Sequence, residues 1–502
     1  MVNGISWNYN VWNGEAFIYR GVRQSAINDN IEGSIEIPSE LGHCSVTRIG
    51  NYAFYGCSRL TSVSIPRSVK FIGRQAFYSC SRLSSITIPN SVTNIEEQAF
   101  AWCDGLSSAT IGTGVIGIGR ESFFHCSDLG SIRIPSSVRT IGDGAFKNCG
   151  ALATARISAN EDGTRIGGEA FMDCSNLSSA TFPDNVTDIA TGCFRNCSSL
   201  SSFAVPNRAT RIGSLAFSGC SGLRSITIPE TIERIDDNAF SGCTVLSRIN
   251  YDAGFGNVLT AADIRTGAFS DCSGLSSIVV FAKTIGKNAF KGCSGLVDLE
   301  LYVLDAGGDV NDETADGTIG ECAFSGCENL ETIRFDAVKA IKRNAFSGCE
   351  NIRFVYVAGM SVPWWCSVVE FEDFSAHPFS AESSWRNDLH FSFLSPDNPD
   401  SDGLLTIPDG VKSIGNWAFF GADNVRAISL PEGLQHIGFG AFRDCSHLSE
   451  VTIPDTVTNV SPQAFANGGA LKKLHFGSGH TSIGAYAFAY DPWTYGSSEL
   501  EH

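Results

Sequence analysis

Cysteine is the residue type whose number and spacing in this sequence most clearly suggest chemistry. The chain of 502 residues holds 18 cysteines. Such a set could bind zinc, form disulfides or fill small buried volumes. Zinc sites need ligands at short spacing, and the sequence contains no Cys-x-x-Cys. Fourteen of the cysteines instead recur at one position of a repeating unit: Cys57, Cys80, Cys103, Cys126, Cys149, Cys174, Cys197, Cys220, Cys243, Cys272, Cys293, Cys327, Cys349 and Cys445.

This recurring position predicts a row of reduced, buried thiols. Neighbouring units about 4.8 Å apart would be close enough for disulfides. Late units nevertheless replace the cysteine by Ala422, Gly468 and Asp491, which cannot pair. An occasional bridge between one of the remaining cysteines, such as Cys322, and a neighbour in the row stays open. The cysteines outside the row are Cys44, Cys193, Cys322 and Cys366.

Other residue types give weaker chemical signals. An acidic stretch places oxygen ligands at alternating positions, as calcium loops do, but it lacks the full spacing and the terminal glutamate. A solvated insertion is the main interpretation, with calcium as the alternative, at Asp309, Asn311, Glu313 and Asp316. The sequence has no His-Glu-x-x-His, no Gly-x-Ser-x-Gly, no phosphate loop and no Gly-x-Gly-x-x-Gly opening a helix after a strand. We therefore expect no catalytic residues, no cofactor and no enzymatic activity.

A candidate binding surface combines charged and aromatic residues in the second half of the chain. Exposed aromatic side chains beside a loop are typical of protein and glycan recognition. The alternative is that these aromatics pack an irregular segment onto the rest of the fold. The candidate ligand-binding residues are Asp298, Glu300, Thr332, Arg334, Phe354, Tyr356, Trp364 and Trp365.

The elements that must position these residues belong to a repeat. Phenylalanine recurs 23 residues apart from Phe54 to Phe146, and related units continue to Phe488. Such short units cannot bury their own apolar face, so they must stack on their neighbours. In one unit, Ala76, Phe77, Cys80 and Leu83 share one face of a short helix, and the chain then alternates through Ile86 and Ile88 until Pro89 ends a strand.

The N-terminal region departs from the repeat. Ile5, Trp7, Tyr9 and Val11 alternate with polar residues before Asn13-Gly14, which predicts a β-hairpin. We interpret it as a cap on the first coil, with carbohydrate binding by Trp7 and Trp12 as the alternative. The expected organisation is a hairpin cap at 1–45, a repeat solenoid at 46–357, an irregular aromatic and acidic break at 358–403, further solenoid at 404–490, and a tail at 491–502.

Charge and hydropathy exclude some partners. The net charge is −18, from 53 acidic and 35 basic residues, which argues against nucleic acid and anionic membranes. No apolar run is long enough to span a bilayer. No signal peptide is apparent, and Leu500-Glu501-His502 resembles the start of a polyhistidine tag. We therefore expect the natural targeting signal and C-terminus to have been removed.

The string Ile-Gly-x-x-Ala-Phe-x-x-Cys-x-x-Leu-x-x-Ile-x-Ile-Pro, as from Ile72 to Pro89, strongly resembles the BspA-like class of leucine-rich repeats, and the likeness extends from Ile35 to Phe488. The resemblance implies an α/β-type solenoid: a right-handed, β-dominant superhelix with a parallel sheet on one face and short helical or 3-10 segments on the other. It also implies a secreted or cell-surface protein that acts as an adhesin, which means that it binds a host, matrix or neighbouring-cell protein.

From these observations we expect a monomeric, non-enzymatic protein that binds a protein, or a glycan, through its sheet face and loops. Two alternatives stay open. One is a structural spacer that presents another domain, and the other is a glycan-binding module centred on the aromatic break.

Overall fold

The computed structural model describes residues 7–19, 32–250, 257–261, 263–303, 318–336, 340–341, 345–349, 351, 354–358, 390–393, 404–406, 413–414, 419, 425–477 and 481–489. The chain divides into two compact units. Unit 1 comprises Met1–Ala261 with Arg265–Leu275, and unit 2 comprises Ala262–Ile264 with Ser276–His502. In the described residues of each unit the architecture is a solenoid of stacked parallel β-strands.

Most coils of unit 1 contribute one longer strand and one two-residue strand to separate parallel sheets. The strands of this unit are β1 (Tyr9–Trp12), β2 (Glu15–Ile18), β3 (Gly33–Glu36), β4 (Glu40–Leu41), β5 (Cys44–Ile49), β6 (Leu60–Ser64), β7 (Phe71–Ile72), β8 (Ser85–Thr87), β9 (Asn94–Ile95), β10 (Ser108–Thr110), β11 (Gly117–Ile118), β12 (Ser131–Ile134), β13 (Thr140–Ile141), β14 (Thr154–Ile157), β15 (Arg165–Ile166), β16 (Ser179–Thr181), β17 (Asp188–Ile189), β18 (Ser202–Ala204), β19 (Arg211–Ile212), β20 (Ser225–Thr227), β21 (Arg234–Ile235), β22 (Arg248–Asn250) and β23 (Val258–Thr260).

Unit 2 repeats the same plan, with strands stacked in parallel from coil to coil. Its strands are β24 (Asp263–Ile264), β25 (Ser277–Ala282), β26 (Thr284–Ile285), β27 (Asp298–Val303), β28 (Thr318–Ile319), β29 (Thr332–Asp336), β30 (Ala340–Ile341), β31 (Phe354–Ala358), β32 (His390–Phe393), β33 (Leu404–Thr406), β34 (Ser413–Ile414), β35 (Ala427–Ser429), β36 (His436–Ile437), β37 (Glu450–Ile453), β38 (Asn459–Val460), β39 (Lys473–Phe476) and β40 (Ser482–Ile483). Strand β32 lies inside the segment 358–403 and pairs with β31 in parallel.

The alternation predicted for the longer strands is confirmed. In β8, Ile86 is buried while Ser85 and Thr87 are exposed, and the pattern recurs in β12 and β18. Successive side chains of a strand point to opposite sides, so one side of each strand joins the core and the other faces solvent. We call the solvent side of the longer strands the long-strand face.

The prediction of a helical or 3-10 segment opposite the strands is wrong, because the described residues contain no helix. The segment around Phe77 is a series of turns in which Gln75 and Ser79 have positive φ angles of 51° and 57°. The amide N–H of Phe77 donates to the carbonyl of Ala99 in the next coil at 2.7 Å. An α-helix would keep these bonds within one segment.

The prediction failed because the spacing of the apolar residues fits both a short helix and this series of turns. Amides alternate between bonds within the coil, such as Cys80 N–H to the Phe77 carbonyl, and bonds to the next coil. A helix of one or two turns would first have to overcome its nucleation cost, whereas the turns gain inter-coil bonds immediately. Side chains at offsets 0, 1, 4 and 7 still reach the core.

The core of unit 1 is a stack of phenylalanine rings. Consecutive rings from Phe54 to Phe269 are nearly parallel, with centroids 4.8 to 5.7 Å apart. At the N-terminal end, the buried Trp7 contacts Phe54 edge-to-face at 6.3 Å. The hairpin predicted at Asn13-Gly14 forms between β1 and β2, and both turn residues have positive φ. Trp7 thus covers the first ring of the stack.

The row of cysteines lies beside these rings, and its thiols are reduced. Twelve thiols of the row donate to a phenylalanine carbonyl of the preceding coil, as Cys80 Sγ does to Phe54 at 3.2 Å. The 17 described cysteines are all free, which confirms the predicted row and shows that Cys322 forms no bridge. Cys366 lies outside the described residues. Burial raises the pKa of the Cys149 thiol to about 12 and also raises that of Cys193.

Candidate binding surface

The long-strand face of unit 2 is wider than that of unit 1. Strands β25 and β27 have six residues each, and β29 and β31 have five, whereas β8, β10 and β20 have three. In a typical unit a proline such as Pro89 follows the strand and ends it, because proline cannot donate to the ladder. The equivalent position holds Phe281 in β25 and Tyr302 in β27, so these strands continue.

Strand register brings six of the predicted site residues together. One column runs across the sheet from Asp298 to Thr332 and Phe354, and the next runs from Glu300 to Arg334 and Tyr356. In parallel strands about 4.8 Å apart, residues in one column are direct neighbours on the same side of the sheet. The remaining predicted residues, Trp364 and Trp365, lie outside the described residues.

An ion pair lies at the centre of this surface. Arg334 Nη1 donates to Glu300 Oε1 at 2.6 Å, and Tyr302 Oη donates to Glu300 Oε2 at 3.2 Å. The side chains of Arg334 and Glu300 remain 44% and 27% exposed. Ion pairs with this exposure contribute only about 0 to 1 kcal/mol to stability. The pair therefore orders two charged groups in contact with solvent without being needed for folding.

Two aromatic residues of the surface were missed by the sequence reasoning. Phe281 and Tyr302 are register partners whose rings stack at 4.7 Å with 14° between their planes. Both are half-buried. The available signal was the replacement of the strand-ending proline by an aromatic residue in two successive units. We define the unit 2 surface as Phe281, Asp298, Glu300, Tyr302, Thr332 and Arg334, with Phe354 and Tyr356 placed beside it by register.

The surface combines charged and aromatic groups. It presents a carboxylate held by a guanidinium and a phenol, next to stacked aromatic rings, and it includes no cysteine or serine nucleophile. Among the residues that the structure describes, no three histidine, cysteine or acidic side chains are grouped to hold a metal ion. The calcium alternative rests on Asp309, Asn311, Glu313 and Asp316, which are outside the described residues and stay a sequence hypothesis.

Within the described ranges, the structure has no helix with the length and hydropathy needed to cross a bilayer.

Comparison with known proteins identifies the repeat. The profile of the family described as "BspA type Leucine rich repeat region" matches residues 30–153, 164–297, 312–360 and 403–494, in six copies. Those ranges cover most of the chain. A search of curated proteins gives no match.

Solved structures of similar proteins include bacterial repeat proteins. A leucine-rich repeat protein from Bacteroides ovatus is 19% identical, with 97% of this chain and 91% of that chain covered and a TM-score of 0.35. A leucine rich cell surface protein from Faecalibacterium prausnitzii is 23% identical, with coverages of 72% and 94% and a TM-score of 0.36. The pneumococcal vaccine antigen PcpA is 17% identical, with coverages of 71% and 92% and a TM-score of 0.35.

Proposed function

The chain belongs to the BspA-type leucine-rich repeat family, and on that premise we propose that it is a non-enzymatic cell-surface protein that binds another protein through the unit 2 surface. The partner is a surface or matrix protein of a host or of a neighbouring cell, and the activity is adhesion. The protein acts as a monomer outside the cell.

The observation that carries this proposal is the contact of Glu300 with both Arg334 and Tyr302 on an exposed, widened sheet. Arginine and aromatic residues are enriched at protein interfaces and dominate their energetics. Here the stacked rings of Phe281 and Tyr302 offer an apolar contact area beside an ordered charge pair. This combination suits a protein partner that covers the rings and completes the hydrogen bonds at their edge.

The electrostatics also favour a specific partner over a polyanion. The chain carries a net charge of −18, which repels nucleic acid and anionic membrane surfaces. On the unit 2 surface, Asp298 and Glu300 lie beside a single arginine. We therefore expect the partner to present basic side chains together with an apolar anchor.

The experiment is alanine substitution of Arg334, Glu300 and Tyr302, separately, with binding to immobilised matrix proteins measured by biolayer interferometry. Each substitution should weaken binding at least about tenfold, equivalent to about 1.4 kcal/mol. A matched control is the ion pair between Lys147 and Glu169 at 2.7 Å, on the turn side of unit 1. Alanine at either control position should leave binding unchanged.

Two other results would point to the alternatives. Binding that survives all three substitutions in a folded protein would favour a structural spacer. Binding of neutral glycans that depends on Trp364 or Trp365, and not on Arg334, would favour a glycan-binding module at the aromatic break.

A further inference from the structure

Two arginines lie directly opposite each other on the long-strand face of unit 1. Arg133 in β12 and Arg156 in β14 are register partners in adjacent parallel strands, and both are exposed. Their Cα atoms are therefore about 4.8 Å apart. No hydrogen bond or ion pair joins either guanidinium group to another of the described residues. Like charges directly opposite in a sheet are destabilising, so folding alone gives no reason for this arrangement.

The same unit shows how such a pair is stabilised elsewhere. Arg211 in β19 and Arg234 in β21 are also register partners on adjacent strands. Both lie against the carboxylate of Asp236, which is 7% exposed: Arg211 Nε donates to Oδ2 at 2.5 Å, and Arg234 Nε lies 2.8 Å from Oδ1 as an ion pair without hydrogen-bond geometry. One carboxylate thus neutralises two cross-strand arginines.

From this comparison we infer that Arg133 and Arg156 bind a carboxylate of an external ligand in the way that Arg211 and Arg234 bind Asp236. Guanidinium groups donate through a planar fork that matches a carboxylate, and charge-assisted hydrogen bonds are about twice as strong as neutral ones. Arg133 and Arg156 lie side by side on adjacent strands, so one carboxylate can bridge their guanidinium groups.

The surroundings of the arginine pair identify the ligand class. The outward positions from β8 to β20 hold hydroxyl side chains, Ala204 and the two arginines, without a carboxylate or a large apolar side chain. Ser131 and Thr154 lie beside the pair, and Thr181 is the register partner of Arg156. Protein interfaces gain most of their affinity from aromatic or aliphatic anchors in pockets, which this face does not offer to a partner.

A hydroxylated chain that carries a carboxylate fits these features. The serine and threonine rows can exchange hydrogen bonds with sugar hydroxyls, and the arginine pair can bind the carboxylate of an acidic sugar. The ligand is thus an acidic glycan with isolated carboxylates. The local positive charge is restricted to this pair, while the whole chain is acidic, so a densely charged polyanion would be repelled.

The test uses the full chain and isothermal titration calorimetry with four probes: a hyaluronan hexasaccharide, which carries carboxylates; a chitin hexasaccharide, which is neutral; a keratan sulfate hexasaccharide, which carries sulfate without carboxylate; and hexaglutamate. The hyaluronan hexasaccharide should bind, and its Kd should rise at least about tenfold in R133Q and in R156Q. Raising the salt concentration should weaken binding, because screening reduces the attraction.

The matched control is R224Q, because Arg224 is an exposed arginine of the same unit that precedes β20 and has no register partner of like charge. It should bind the hyaluronan hexasaccharide as the unaltered chain does. Circular dichroism and the thermal unfolding midpoint establish that R133Q and R156Q are folded. Equal affinity for the chitin hexasaccharide, or unchanged affinity in R133Q and R156Q, would overturn the proposal. Binding of keratan sulfate alone would overturn the assignment to carboxylate, and tighter binding of hexaglutamate would overturn the assignment to a glycan.

Discussion

The thiol of Cys80 donates a hydrogen bond to the carbonyl oxygen of Phe54, 26 residues earlier and one coil away, at 3.2 Å. The same oxygen accepts the amide of Cys57 in its own coil at 3.2 Å. Each such carbonyl therefore uses both of its acceptor sites, one for the turn and one for the contact between coils. The repeated cysteine is explained by this bond together with its small buried volume.

This arrangement predicts the effect of removing one thiol in the middle of the row. C149A should lower the free energy of unfolding by about 1 to 2 kcal/mol, because it leaves the Phe123 carbonyl with one bond fewer and opens a small cavity. Guanidinium unfolding followed by circular dichroism measures the change, with S198A, at an exposed serine, as the control. An unchanged transition in C149A would show that the thiol only fills space.

The thiols should also make stability depend on alkaline pH. Burial raises the pKa of Cys149 from 9.0 to about 12. Because the pKa is higher in the folded state, the contribution of the protonated thiol to stability is complete below pH 9 and is lost as the pH rises toward 12. The thermal unfolding midpoint should therefore fall steadily between pH 9 and pH 12, and the fall should be smaller in C149A. An equal fall of the midpoint between pH 9 and pH 12 in both proteins would contradict the assignment of the raised pKa to Cys149.

Thiol reactivity gives an independent measurement on the same groups. Thiolate is the reactive form of cysteine, and burial disfavours it. Of the described cysteines, Cys44 and Cys322 are partly exposed and the others are buried. Mass spectrometry after brief iodoacetamide treatment of the native chain at pH 7.5 should find these two modified and Cys149 unmodified. Modification of Cys149 at the rate of Cys44 would show that the coils open.

The N-terminal tryptophans form a matched pair for testing the cap. Trp7 is buried against Phe54, whereas Trp12 is 69% exposed. W7A should destabilise unit 1 by about 3 kcal/mol, since it uncovers the first ring of the stack and leaves a cavity. W12A should change stability by less than about 0.5 kcal/mol. Thermal unfolding compares them, and equal effects would be inconsistent with a covering role for Trp7.

Much of the fold follows from the repeat itself. A 23-residue period with Ile86 and Ile88 inward predicts stacked parallel strands, and the burial of these residues agrees. The same period could not separate a short helix from turns, because Ala76, Phe77 and Cys80 reach the core in both. The difference depends on positive φ at Gln75 and Ser79, and neither residue type demands that conformation.

The site was predictable to a smaller extent. Alternation placed Glu300 and Arg334 on one side of the sheet. Each follows the repeat cysteine of its unit by seven residues, Cys293 and Cys327, which implies that they are neighbours. The contribution of Tyr302 depends on strand extension, for which the missing proline was the signal. The neutralisation of Arg211 and Arg234 by Asp236 could not be anticipated, because it depends on side-chain directions around one coil.

The central claim is that the unit 2 surface binds a protein partner, and binding by R334A tests it most directly. Arg334 is exposed and its ion pair with Glu300 adds little to stability, so R334A should unfold at the temperature of the unaltered chain. The account predicts that the Kd for the matrix protein that binds the unaltered chain most tightly rises at least about tenfold in folded R334A and stays unchanged in K147A. An unchanged Kd in folded R334A would contradict it.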